Sequence, residues 1–174
     1  MTEVEEKEFI KSEEQKYNIK NICFSILETI LEYSINSEKN PSSIFDNQSN
    51  VNNEYQILDE YNFEELFLFC VKILKINDNL LVLIMMYIDK ILSSNNFSLN
   101  EKNINRLFYT CLMVTQKYYE DNSFNNKIYA DLVGISCDEL LNLEMEFMNL
   151  INFELFIKDD EFDKYNKKIM KLYL

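Results

Sequence analysis

The chain has 174 residues, 47% of them hydrophobic and 14% aromatic, with a formal net charge of -13, which is enough for one domain with a single sizeable core. It holds one glycine, one proline, no histidine and no tryptophan, so it lacks the glycines of a phosphate-cradling loop, the Ser-His-Asp and Cys-His machinery and any histidine-ligated zinc site. The acidity opposes nucleic-acid binding, which needs clustered Lys and Arg; a basic protein is the natural electrostatic match, although on charge alone a role in solubility accounts for the acidity better.

Residues 1–18, beginning MTEVEEKEFIKSEE, form an acidic, flexible leader with none of the features of a signal or transit peptide. A helix follows over 19–35, with Ile19, Ile22, Cys23, Ile26, Leu27, Ile30 and Leu31 on one stripe. Residues 36–59 carry the only proline and many asparagines, and read as a loop. Asn62 then opens a helix through an N-x-x-E cap with Glu65, in the stretch YNFEELFLFCVKILKI.

The next segment, NLLVLIMMYIDKIL, is apolar almost all round, as a helix enclosed by others must be. Its longest apolar run, Leu80 to Ile88, falls short of the roughly 20 residues of a membrane span. Ser98 and Glu101 read as a second capping box, opening a helix to about Tyr119 with Ile104, Leu107, Phe108, Cys111 and Thr115 inward. A short helix, KIYADLV, stops at Gly134. Ser136 and Glu139 form a third capping box and start a helix to about Phe153, with Leu140, Leu143, Phe147, Leu150 and Ile151 on its core face. The last element sets Phe162, Tyr165, Ile169 and Leu172 on one face, its acidic start and basic end complementing the helix dipole. The four cysteines show no CxxC spacing; Cys23, Cys70 and Cys111 fall in apolar helical stretches and read as packed free thiols of a reducing compartment.

Taken together, NLLVLIMMYIDKIL, NINRLFYTCLMVTQKYYEDNSFNNKIYADLVGIS and ELLNLEMEFMNLINFEL resemble a cyclin box, most of all that of the P/U-type cyclins related to the yeast phosphate-response cyclin. The resemblance rests on Y-I-D-K, N-R-L-aromatic-x-T, K-aromatic-x-x-D with S-aromatic-x-N, Y-A-x-x-G-I-S, and L-E-x-x-F before N-F-x-L, in the family's order. It implies an all-α fold: a single cyclin box of five helices over 60–155 around a buried central helix, with the N-terminal helix before it and a short C-terminal helix over 156–174.

The function implied by the resemblance is that of an intracellular, nuclear or cytoplasmic regulatory subunit, not an enzyme and without a cofactor or metal. Such a subunit binds and activates a cyclin-dependent protein kinase by docking on its C-helix side, and helps direct substrate choice, with basic proteins as candidate substrates and neither nucleic acid nor membrane as a partner. The alternative is a cyclin-fold adaptor that binds protein without activating a kinase. Lys117 and Glu144 match the family's kinase-contacting lysine and glutamate. Tyr118, Met148 and Phe153 are expected to add apolar contact around them. Asp89 is expected to form a structural ion pair with Lys72, which stands where the family usually has arginine. Considered without the resemblance, Lys117 is a cation at a helix C-terminus and Glu144 an ordinary solvated position.

Overall fold

The computed structural model describes residues 19–32, 45–46, 57–94 and 97–171; the expected leader, most of the 36–59 loop and Leu172 lie outside the described residues. Eight helices run through the described residues, and no strand occurs among them. They are α1 (19–32), α2 (Ile57–Glu60), α3 (Phe63–Ile73), α4 (Asp78–Ser94), α5 (Ile104–Tyr119), α6 (Asn126–Val133), α7 (Cys137–Leu150) and α8 (Asp159–Lys171).

The helix that touches most of the others is α5, which packs on α2, α3, α4 and α7. Every residue from Ile104 to Gln116 is buried, including Asn105, Arg106, Thr110, Thr115 and Gln116. The all-apolar stretch in α4 is buried as its composition demands, but the centre of the fold is the helix that carries polar side chains. Those side chains find partners inside. Thr110 and Thr115 donate to the carbonyls of Arg106 and Cys111, at 2.7 and 2.6 Å. Gln116 donates to the Leu74 carbonyl at 3.0 Å and accepts from the Tyr129 hydroxyl at 2.9 Å. A buried polar group with its bonds made costs little, whereas the same group unpaired costs about 1–3 kcal/mol.

Around α5 the core is aromatic at one end. Phe24 of α1 stacks on Phe63 with ring centroids 5.8 Å apart, and Phe63, Phe67 and Phe108 close a triangle with separations of 6.0, 5.4 and 5.2 Å. This joins α1, α3 and α5 by ring pairs worth about 0.5–1.5 kcal/mol each beyond their burial. Cys23, Cys70 and Cys111 are buried and free, as expected, while Cys137 is exposed at the start of α7.

The helix ends match the sequence in part. Asn62 and Ser136 accept from the backbone N–H groups of Glu65 and Glu139, at 2.9 and 3.1 Å, and Gly134 ends α6 in left-handed geometry with φ 74°. The Ser98 box does not open α5. Residues 101–103 form a turn in which Asn103 accepts from the Asn100 N–H at 2.9 Å and donates to the Ser98 carbonyl at 3.0 Å, so the helix starts at Ile104. Two asparagine side chains there out-compete the serine for backbone groups.

Helix α7 stops at Leu150 rather than Phe153, and part of the expected 36–59 loop is the helical turn α2. With one glycine available, α3 and α7 end on left-handed Lys75 (φ 53°) and Asn152 (φ 55°). Each closes with a bond from the residue after it back to the carbonyl five earlier, Ile76 to Val71 at 3.0 Å and Phe153 to Met148 at 2.8 Å.

Candidate functional site: a charged pair in an apolar groove

The C-terminal turn of α5 emerges from the core after Gln116, and there the side chains Lys117, Tyr118 and Tyr119 reach the surface. Lys117 Nζ donates to Glu144 Oε1 of α7 at 2.6 Å and to Asn126 Oδ1 at the start of α6 at 2.9 Å. Both charged side chains remain about a quarter exposed, at 26% and 22%. The position of each follows from local structure: Leu143 and Phe147 bury the inner face of α7, turning Glu144 toward α5, and the Asn125 cap fixes the start of α6 by accepting from the Ile128 N–H at 3.0 Å. The three groups are tied together at the junction of three helices.

They lie in an open groove of about 500 Å³ whose other walls are Val114, Tyr118, Leu141, Met145, Met148 and Leu155. Four of the five expected binding residues, Lys117, Glu144, Tyr118 and Met148, therefore share one groove. Phe153 stands in an adjoining hollow of about 750 Å³ together with Lys90, Phe156 and Lys158, and Tyr118 and Leu155 line both. Phe153 and Phe156 are 58% and 72% exposed, more than any other large apolar side chain among the described residues. Two apolar side chains this exposed stand out beside a well-buried core.

The groove holds no reactive constellation. Among the described residues, no three His, Cys, Asp or Glu side chains come together as a metal site, and no helix is long and apolar enough to cross a membrane. The edge of the hollow carries a second ion pair, Lys90 to Glu154 at 2.6 Å, whose hydrogen bond holds the Glu154 carboxyl below the usual carboxylate range.

Lys72 and Asp89 do not pair. Lys72 lies on the exposed stripe of α3 with Glu65 and Leu68, while Asp89 Oδ2 accepts from the Tyr165 hydroxyl of α8 at 3.0 Å. The hydrogen-bond partner of the aspartate is thus a tyrosine of α8 and not the expected lysine. The buried guanidinium of the fold is Arg106, 1% exposed, which reaches Asp59 through Nε and Nη2 at 2.8 and 2.6 Å and Glu139 through Nη1 at 2.6 Å. Burial disfavours its charge, but the hydrogen bonds it donates to Asp59 and Glu139 outweigh that and raise its pKa. Sequence reasoning also missed Asn126 and Phe156: the first stands in an asparagine-rich stretch, and nothing in a sequence distinguishes an exposed Phe from a packed one.

The family model described as Cyclin matches residues 5–155. Cyclin-U2-1 of Arabidopsis thaliana is 33% identical over 92 residues, which is 52% of this chain and 41% of the relative. PHO85 cyclin-7 of Saccharomyces cerevisiae is 34% identical over 77 residues, 44% of this chain and 27% of the relative. Cyclin-P2-1 of Oryza sativa subsp. japonica is 29% identical over 79 residues, 45% of this chain and 36% of the relative. The chain spans less than half the length of the curated relatives it matches.

Proposed function

The chain belongs to the cyclin family, and from that premise we propose that it is a regulatory subunit that binds and activates a cyclin-dependent protein kinase and contributes no catalytic group of its own. Phosphoryl transfer in a protein kinase requires the strand lysine to pair with the glutamate of the C-helix. A rigid partner that binds only the inward position of that helix shifts the kinase toward it by the difference in its affinity for the two states. Lys117, Glu144, Tyr118, Met148 and Phe153 form the docking face for the C-helix side of the kinase, and the acidic surface helps select basic substrates.

The observation that carries this reading is the 2.6 Å pair of Lys117 and Glu144, part-buried in a groove with apolar walls. A charged pair at a surface is worth little to stability. Placed at the centre of an apolar interface with polar capacity left over, it sets register and orientation of a partner. Lys117 has a third N–H, and Glu144 has a second carboxylate oxygen.

The test is affinity purification of the chain from its native cell, followed by a kinase assay with and without it. Exchanging the charges, Lys117→Glu with Glu144→Lys, is expected to keep the helical circular dichroism and reduce kinase recovery more than tenfold. Full recovery with the exchanged pair sinks the assigned face. Kinase binding without any rise in activity assigns the chain to the adaptor reading instead.

A further inference from the structure

The segment joining α7 to α8 is held more firmly than a connection on the surface requires. Asn152 and Phe153 are both left-handed, with φ 55° and 57°, a conformation costly for a bulky residue such as Phe. Their geometry is enforced by backbone bonds from Phe153 to Met148 at 2.8 Å and from Glu154 to Ile151 at 3.1 Å. Glu154 pairs with Lys90 of α4 at 2.6 Å on the exposed side of the segment. The carbonyl of Leu155 accepts from two phenols, Tyr119 of α5 at 3.0 Å and Tyr87 of α4. With one proton in each hydroxyl directed at that carbonyl, both of its lone pairs are filled, and the 3.3 Å separation of the two phenol oxygens is a contact.

Tyr87 is no loose donor. It is 1% exposed, and its ring meets Phe147 edge-on at 6.0 Å. A phenol buried to that degree needs a partner for its hydroxyl, and the strap supplies one. On either side of the clamped carbonyl stand Phe153 and Phe156, the two most exposed large apolar side chains among the described residues. Fixing exposed aromatic groups costs free energy in the free chain, and the compensation is the ordering entropy that binding no longer has to supply.

We infer that Tyr87 and Tyr119 are positioning residues that act through the Leu155 carbonyl to hold residues 152–157 in one conformation, so that Phe153 and Phe156 stand as preformed anchors at the end of the Lys117–Glu144 groove. The inference rests on the docking face proposed above and adds to it Phe156 as a contact and two phenols that need not touch the kinase.

The experiment compares Tyr87→Phe, Tyr119→Phe and their combination with Phe153→Ala, Phe156→Ala and the control Tyr109→Phe, which removes the buried hydroxyl bonded to the Tyr129 carbonyl, away from the strap. Amide hydrogen exchange is measured on the free full chain, and affinity on the kinase that co-purifies with it. The double variant is expected to speed exchange at 153–157 about tenfold with α5 unchanged, and to weaken kinase binding roughly five- to tenfold. Both alanine variants weaken binding as well, and Tyr109→Phe leaves it unchanged. Unaltered exchange at 153–157 overturns the clamp, as does faster exchange with undiminished affinity. If the alanine variants weaken binding and the double Tyr variant does not, the inference fails alone. If none of them weakens binding, the docking face fails with it.

Discussion

Arg106 and Asp59, 47 positions apart, meet in a bidentate fork at 2.8 and 2.6 Å, with the guanidinium 1% exposed. Next to it, Asn105 donates to the carbonyls of Leu58 and Tyr61 at 2.9 and 2.7 Å, so two consecutive side chains of α5 fasten the short helix α2. Removing the guanidinium takes a buried charged partner from two carboxylates. Arg106→Met is expected to lower the unfolding free energy by about 3–5 kcal/mol in urea titrations followed by circular dichroism. A loss under about 1 kcal/mol contradicts the assignment.

Asp89 and Lys72 are separated by the same test. Tyr165→Phe removes the partner of a part-buried carboxylate and is expected to cost about 1–3 kcal/mol. Lys72→Ala, on the exposed stripe of α3, is expected to stay within about 0.5 kcal/mol of the parent. A loss above about 1 kcal/mol for Lys72→Ala restores the ion pair that the resemblance implies.

The contrast shows what a sequence carries. The helices, their inward stripes and the Asn62, Ser136 and Gly134 signals are local, fixed by a 3.6-residue period and by short-range backbone bonds, and they were legible. The partner of Asp89 is 76 positions away and that of Arg106 is 47, and such choices depend on how helices cross. Hydrophobicity singled out α4 as the enclosed helix because burial of polar side chains in α5 is permitted only by partners that a one-dimensional pattern does not contain. In the groove, Lys117 and Glu144 were read through a resemblance, since as isolated positions they are ordinary surface charges.

Lys75 ends α3 at φ 53°, where a β-carbon is unfavourable. Lys75→Gly is expected to raise stability by about 0.5–1 kcal/mol, read as a higher thermal midpoint. A fall in the midpoint means that the lysine side chain contributes more than the left-handed backbone costs.

Burial pushes the Cys23 and Cys70 thiols from 9.0 up to about 12 and raises Cys111 in the same direction. Below pH 9 these thiols are protonated in both states and add no pH dependence. Above it the unfolded chain ionises first, so stability falls between about 9 and about 12, each thiol withdrawing about 1.4 kcal/mol per pH unit. Urea midpoints are expected to be indifferent to the thiols near neutrality and to drop by about pH 10. In the native protein, only the exposed Cys137 of the four should react with a thiol reagent; rapid reaction of a second thiol argues that the core opens.

Arg106 and Lys117 sit near opposite ends of α5, eleven residues or about 16 Å apart along a rod with no flexible joint between them. One end is anchored to the segment preceding the box, and the other emerges at the groove. Such a rod sets a fixed spacing between its ends, so one element determines both where α2 is fastened and where the surface cation emerges beside the groove.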